Sequence, residues 1–185
     1  MPNANPPQSI LVIGMGNVLM QDEGIGVRAV EELECRFQIP PEVQVLDGGT
    51  TGMELFEPMR QCDCLIIADA INSPAAPGSL VRIANQEIRA FFQTKLSNHQ
   101  LGLSDLLALL RLKGEAPNHI VIIGMVPKDL ENRIGLSAEA SAGLPAMVAM
   151  LRAELAELGV ELAPRRQQGK GHWQRQADLE LAACA

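Results

Sequence analysis

The run Ile10-Leu11-Val12-Ile13-Gly14-Met15-Gly16, followed shortly by Asp22-Glu23-Gly24-Ile25-Gly26, constrains the fold more than any other stretch of the chain. Four consecutive apolar residues suit a strand covered on both faces, the environment of a parallel sheet. Gly14 and Gly16 permit a tight turn where a side chain would clash. Asp22 and Glu23 then stand where a helix begins, a place its dipole favours for acids. Open α/β sheets gather their ligands at the carboxyl ends of strands. This turn therefore puts carboxylates where chemistry is expected.

The same strand-then-helix alternation continues along the chain and predicts one α/β domain. Three layers are expected, with helices on both faces of a mostly parallel sheet of about five strands. Strands are predicted near Ser9–Gly14, Val43–Leu46, Cys64–Ala68, Leu80–Ile83 and Ile120–Met125. Helices are predicted over Gly24–Phe37, Met53–Met59, from Ser97 or Asn98 to about Leu112, and Ala138–Leu158. Ser97 and Gln100 have the spacing of a capping box, and Asn98 is an alternative cap. Pro145 is tolerable only near the first turns of the last helix. Leu103, Leu106, Leu107 and Leu110 form a helical core stripe.

Composition narrows the classes. Aromatic residues are 3% of the chain, with no Tyr, so the core must be aliphatic. A net charge of −7 argues against nucleic acid, which demands a basic footprint. No stretch approaches the roughly 20 apolar residues of a membrane span. Residues 1–8, rich in Pro and Asn, read as a flexible leader without the basic region of a signal peptide. Residues 164–185 mix Arg, Lys, Gln and Gly and read as a polar tail, mobile or only partly helical. Cys62 and Cys64 are not expected to pair, and the thiols fit a cytoplasmic protein better than a disulfide scaffold.

Three polar groups fall at comparable places in this layout. Glu23 follows the first strand, Asp69 ends the third, and His99 opens the helix after the fourth. On neighbouring strands they would share one rim, and such a donor set suits zinc, nickel or a similar ion. Spacing alone leaves blander roles open, with Glu23 or Asp22 satisfying a helix N-terminus, Asp69 capping a loop and His99 at the surface. The loop Asp47-Gly48-Gly49-Thr50 either approaches a ligand or is merely tight. His119 reads as a strand end, and His172 beside Trp173 as part of a solvated extension. A nucleotide-binding module is a rival reading of Gly14-Met15-Gly16, but Leu19 stands where its third glycine would fall.

A set of longer motifs carries a family resemblance. They are Ile13-Gly14-Met15-Gly16-Asn17-Val18-Leu19, Asp22-Glu23-Gly24-Ile25-Gly26-Val27-Arg28, Leu46-Asp47-Gly48-Gly49-Thr50, Ile66-Ile67-Ala68-Asp69-Ala70 and His99-Gln100-Leu101-Gly102-Leu103-Ser104-Asp105. Gly124-Met125-Val126-Pro127 and Ile134-Gly135-Leu136 complete the order. Through them, from about Ser9 to Pro164, the chain resembles the maturation endopeptidases of nickel-iron hydrogenases. The resemblance implies an α/β peptidase domain over 9–163. It implies removal of the C-terminal extension of a large-subunit precursor after nickel insertion. Glu23, Asp69 and His99 would be the catalytic and metal-binding residues. Nickel presented by the substrate would be the recognition element, replaceable in vitro by other divalent ions. The Asp47–Thr50 loop would touch the substrate. The expected partner is the nickel-loaded precursor, met by a monomer without nucleic acid or membrane insertion. A non-catalytic chaperone that senses nickel would use the same three ligands.

Overall fold

The computed structural model describes residues 9–91 and 98–183, less the side chains of residues 89, 91, 98–101 and 183. The leader 1–8 and the caps expected from the side chains of Ser97, Asn98 and Gln100 lie outside the described residues. Strand β1 (Ile10–Met15) leads through a 3-10 turn at Gln21–Gly24 into helix α1 (Ile25–Arg36). Then come β2 (Val43–Gly49), α2 (Phe56–Arg60), β3 (Cys64–Ala70), β4 (Leu80–Ala84), α3 (Gln86–Phe91) and α4 (Asn98–Lys113). Strand β5 (His119–Met125), α5 (Ala138–Glu157) and α6 (His172–Ala183) complete the chain.

The five strands are ordered β2-β1-β3-β5-β4. β1, β2, β3 and β5 run parallel, while β4 lies antiparallel to β5 at the edge. A parallel return requires a crossover, usually a helix, and the segment between β3 and β4 contains none.

Alternation along each strand sorts the apolar side chains into two cores. On one face Val12, Ile66, Ala68, Val121 and Ile123 pack with Val30 and Leu33 of α1 and Met147, Leu151 and Leu155 of α5. On the other, Ile13, Leu65, Ile67 and Ile122 pack with Met59 of α2 and with Leu103, Leu106, Leu107 and Leu110 of α4. These are the three layers and the leucine stripe read from the sequence. Cys64 belongs to the first core and Cys62 to the second, so the sheet separates the two free thiols.

Helix α1 lies unusually close to the sheet. A Cβ on Gly26 would stand 2.1 Å from the Ala68 carbonyl oxygen, so no side chain fits there. Helix α5 starts on an N-cap at Ser137, whose hydroxyl accepts from the Ala140 amide at 3.1 Å. Pro145 lies inside this helix, in its N-terminal half, at the distance from Ala138 that the sequence predicts. Burial of Met147, Val148, Leu151 and Leu155 outweighs the one helical hydrogen bond its ring removes.

Within the segment 164–185, His172–Ala183 form α6, which packs on α1. Its anchors are mostly polar, which hides the docking from apolar periodicity. The Trp173 amide donates to Glu31 Oε1 at 2.7 Å, and the Arg28 guanidinium donates to Gln174 Oε1. The Ile134 amide donates to Glu180 Oε2 at 3.2 Å, and Ala177 is buried beneath. No helix among the described residues is long and apolar enough to cross a membrane.

Candidate active site

The carboxyl edge of the parallel strands carries the candidate residues. Gly14 of β1 lies in register with Asp47 of β2 on one side and Ala68 of β3 on the other. Asp47 and the Ala68–Asp69 peptide are therefore roughly 10 Å apart, two strand spacings. Past Gly14 the register slips, and Met15 pairs with Gly49. This bulge turns the ends of β1 and β2 together, and the Gly16 amide donates to the Gly49 carbonyl at 2.8 Å. Gly16 has φ +118°, and a Cβ there would lie 1.7 Å from the Glu23 carbonyl oxygen. Only glycine permits this return of the chain onto itself.

Glu23 is half-buried in the 3-10 turn, which packs against β3. Asp69 is 2% exposed near the end of β3. By strand alternation it shares the face of Leu65 and Ile67, the side covered by α4. His99 is the second residue of α4. That helix ends shortly before β5 begins at the opposite, amino edge, so its first turn is the end directed to the carboxyl edge. The side chain of His99 lies outside the described residues. Among the described residues no group of three or more His, Cys, Asp or Glu forms a metal cage. The described part of the donor set is thus two carboxylates, one of them deeply buried. Hard oxygen donors and an imidazole suit a borderline divalent ion and leave positions for the ion's other ligands.

Asp22, beside Glu23, faces elsewhere. Its side chain is fully buried and accepts from the Lys128 amide at 2.9 Å, the Asp129 amide at 3.2 Å, and the Ser137 amide and hydroxyl, each at 2.7 Å. It ties the turn after β1 to the loop between β5 and α5. The Gln21 amide donates to the Arg133 carbonyl at 3.0 Å and reinforces the tie. Of the two acids in the motif, Asp22 is committed to the scaffold. Sequence reading offered no means of separating them, since Lys128, Asp129 and Ser137 are remote in the chain.

In the Asp47–Thr50 stretch, Asp47 to Gly49 still belong to β2, where the sequence suggested a loop. The Asp47 carboxylate accepts from the Gly49 amide at 3.0 Å through Oδ1 and from the Trp173 indole at 3.2 Å through Oδ2. Thr51 closes the turn, its amide donating to the Gly48 carbonyl at 3.0 Å. Thr50 and Met53 beyond it stand exposed at the rim. His119 opens β5, as a strand end.

The family model described as hydrogenase maturation protease matches residues 27–154. The chain is 48% identical over 157 residues to the hydrogenase 2 maturation protease of Escherichia coli strain K12, covering 84% of this chain and 96% of that one. It is 39% identical over 176 residues to the hydrogenase expression/formation protein HupM of Azotobacter chroococcum, covering 94% of this chain and 82% of the other. The solved structure of the hydrogenase maturating endopeptidase HybD from E. coli superposes with a TM-score of 0.82 at 46% identity, over 85% of this chain and 98% of that chain. A family model that spans more than half of the chain, and relatives matched over most of both chains, lead to one conclusion: the chain belongs to the hydrogenase maturation protease family and is a protease.

Proposed function

We propose that this protease removes the C-terminal extension of a nickel-iron hydrogenase large-subunit precursor once nickel has been inserted. In this reading Glu23, Asp69 and His99 bind the nickel that the substrate presents. The observation that carries it is the placement of a buried acid, Asp69, and a half-buried one, Glu23, at the same carboxyl edge. Burying a carboxylate is costly unless something compensates its charge, and a cation arriving with substrate adds to that compensation.

The logic is one of partial ligation. A site with few protein donors holds a free ion weakly and gains affinity when substrate thiolates complete the shell. Proteolysis then waits on metal insertion. Bound nickel would polarise the water or carbonyl at the scissile bond. The protein's own contribution is to fix the two carboxylates and the peptide. Leu19, Met53 and Leu130 are exposed in the loops after β1, β2 and β5, and offer apolar contact to a protein substrate around the rim. The protein acts, in this reading, as a cytoplasmic monomer.

The test is incubation of the purified protein with nickel-loaded and nickel-free precursor, followed by intact mass. Only loaded precursor should lose its extension. Glu23→Gln, Asp69→Asn and His99→Ala should each slow cleavage about 100-fold or more while retaining the fold. Full cleavage of nickel-free precursor removes nickel as the signal. Wild-type rates in all three variants remove the site. Tight binding of loaded precursor without cleavage makes the protein a nickel-sensing chaperone instead.

A further inference from the structure

We propose that Trp173 is a positioning residue for substrate binding, setting the Asp47–Thr50 stretch through its indole hydrogen bond to Asp47. The inference rests on the reading of that stretch as substrate-contacting.

The Asp47 carboxylate is divided between two donors. Oδ1 takes the Gly49 amide at 3.0 Å and Oδ2 the Trp173 Nε1–H at 3.2 Å. Gly49 is therefore held at both ends, its amide by Asp47 and its carbonyl by the Gly16 amide at 2.8 Å. Gly16 in turn abuts the Glu23 carbonyl. Hydrogen bonds thus run from α6 through the tip of β2 to Gly16, whose backbone packs directly on the turn bearing Glu23.

The indole has a fixed base from which to act. Its own backbone amide is bound to Glu31 Oε1 at 2.7 Å, and the adjacent Gln174 accepts from the buried Arg28. The His172 ring meets the indole edge-on, 4.9 Å between centroids at 78°, and restricts its plane. Strand alternation turns the Asp47 side chain to the α1 side of the sheet, away from the face that Asp69 shares. Trp173 consequently braces the stretch from behind and leaves Thr50 free at the exposed rim. Holding a recognition segment in its bound shape lowers the ordering cost of binding. Its loss should appear in KM and leave the chemical step alone.

Trp173→Phe keeps a ring and removes the donor. With nickel-loaded precursor it should raise KM about fivefold, the order expected for one lost hydrogen bond, with kcat within about twofold. Asp47→Asn should do the same, and the double variant should be no worse than either single one. Trp173 is the one tryptophan of the chain, so its emission in Asp47→Asn reports directly whether the indole has changed surroundings. Should Trp173→Phe fail to fold, Asp47→Asn carries the kinetic test. Thr50→Ala separates the two layers of argument. If it raises KM and Trp173→Phe and Asp47→Asn do not, the brace is overturned and the substrate-contacting stretch stands. If none of the three changes KM, both fall. Equal losses in kcat and KM with a lowered unfolding midpoint would reduce Trp173 to a structural residue and overturn the proposal.

Discussion

Asp22 and Glu23 are adjacent acids in different surroundings, the first fully buried and the second half-buried. Four donors converge on the fully buried Asp22 carboxylate. Asp22→Ala leaves those donors without their acceptor and should destabilise the protein by about 3–5 kcal/mol, read from urea denaturation. Glu23→Gln, by contrast, should leave the urea midpoint nearly unchanged while slowing processing about 100-fold or more. The cysteines give a second residue-scale expectation. Burial, and then the neighbouring Cys64, push the Cys62 thiol from 9.0 up to about 12. The folded state holds this proton where the unfolded chain releases it. The stability it contributes is therefore complete below about pH 9 and is lost as pH rises through about 12. Native Cys62 should resist iodoacetamide at pH 8 and react only after unfolding, as peptide mass mapping would show.

Helix α1 works as an element because Gly26 lets it lie against the Ala68 carbonyl, the residue before Asp69. Gly26→Ala must push helix and strand apart. It should cost about 1–3 kcal/mol by urea denaturation and lower processing more than stability, because the displaced helix carries the turn with Glu23. Edge strand β4 depends on a different fastening. Arg82 on β4 reaches the buried Glu154 of α5, with its Nη2 at 2.9 Å from Oε2. Arg82→Met leaves that carboxylate short of its partner and should cost about 1–2 kcal/mol in the same assay. Cleavage should be unaffected, since two strands, β3 and β5, separate β4 from β1.

For the whole molecule, the predicted alternation and the observed three layers agree because both follow from local periodicity. Ile10–Met15, Cys64–Ala70 and His119–Met125 are apolar runs that can be satisfied only between two helical layers. Their carboxyl ends were legible for the same reason, since a strand's last residues and the turn after it are neighbours in sequence. Glu23 and Asp69 could thus be put on one rim from spacing and resemblance together. What sequence could not supply was anything set by remote contact: the antiparallel sense of β4, the commitment of Asp22 to Lys128, Asp129 and Ser137, and the docking of α6. Segment 164–185 looked like a solvated tail because its anchors are an indole, an amide and a few carboxylates, which leave no apolar period. By itself, then, the chain's pattern determined the layers and the edge at which the acids stand, because hydrophobic burial has a short sequence period. Tertiary structure alone decided which acid is scaffold, and that the C-terminal helix braces Asp47, because single hydrogen bonds between distant residues leave no periodic mark.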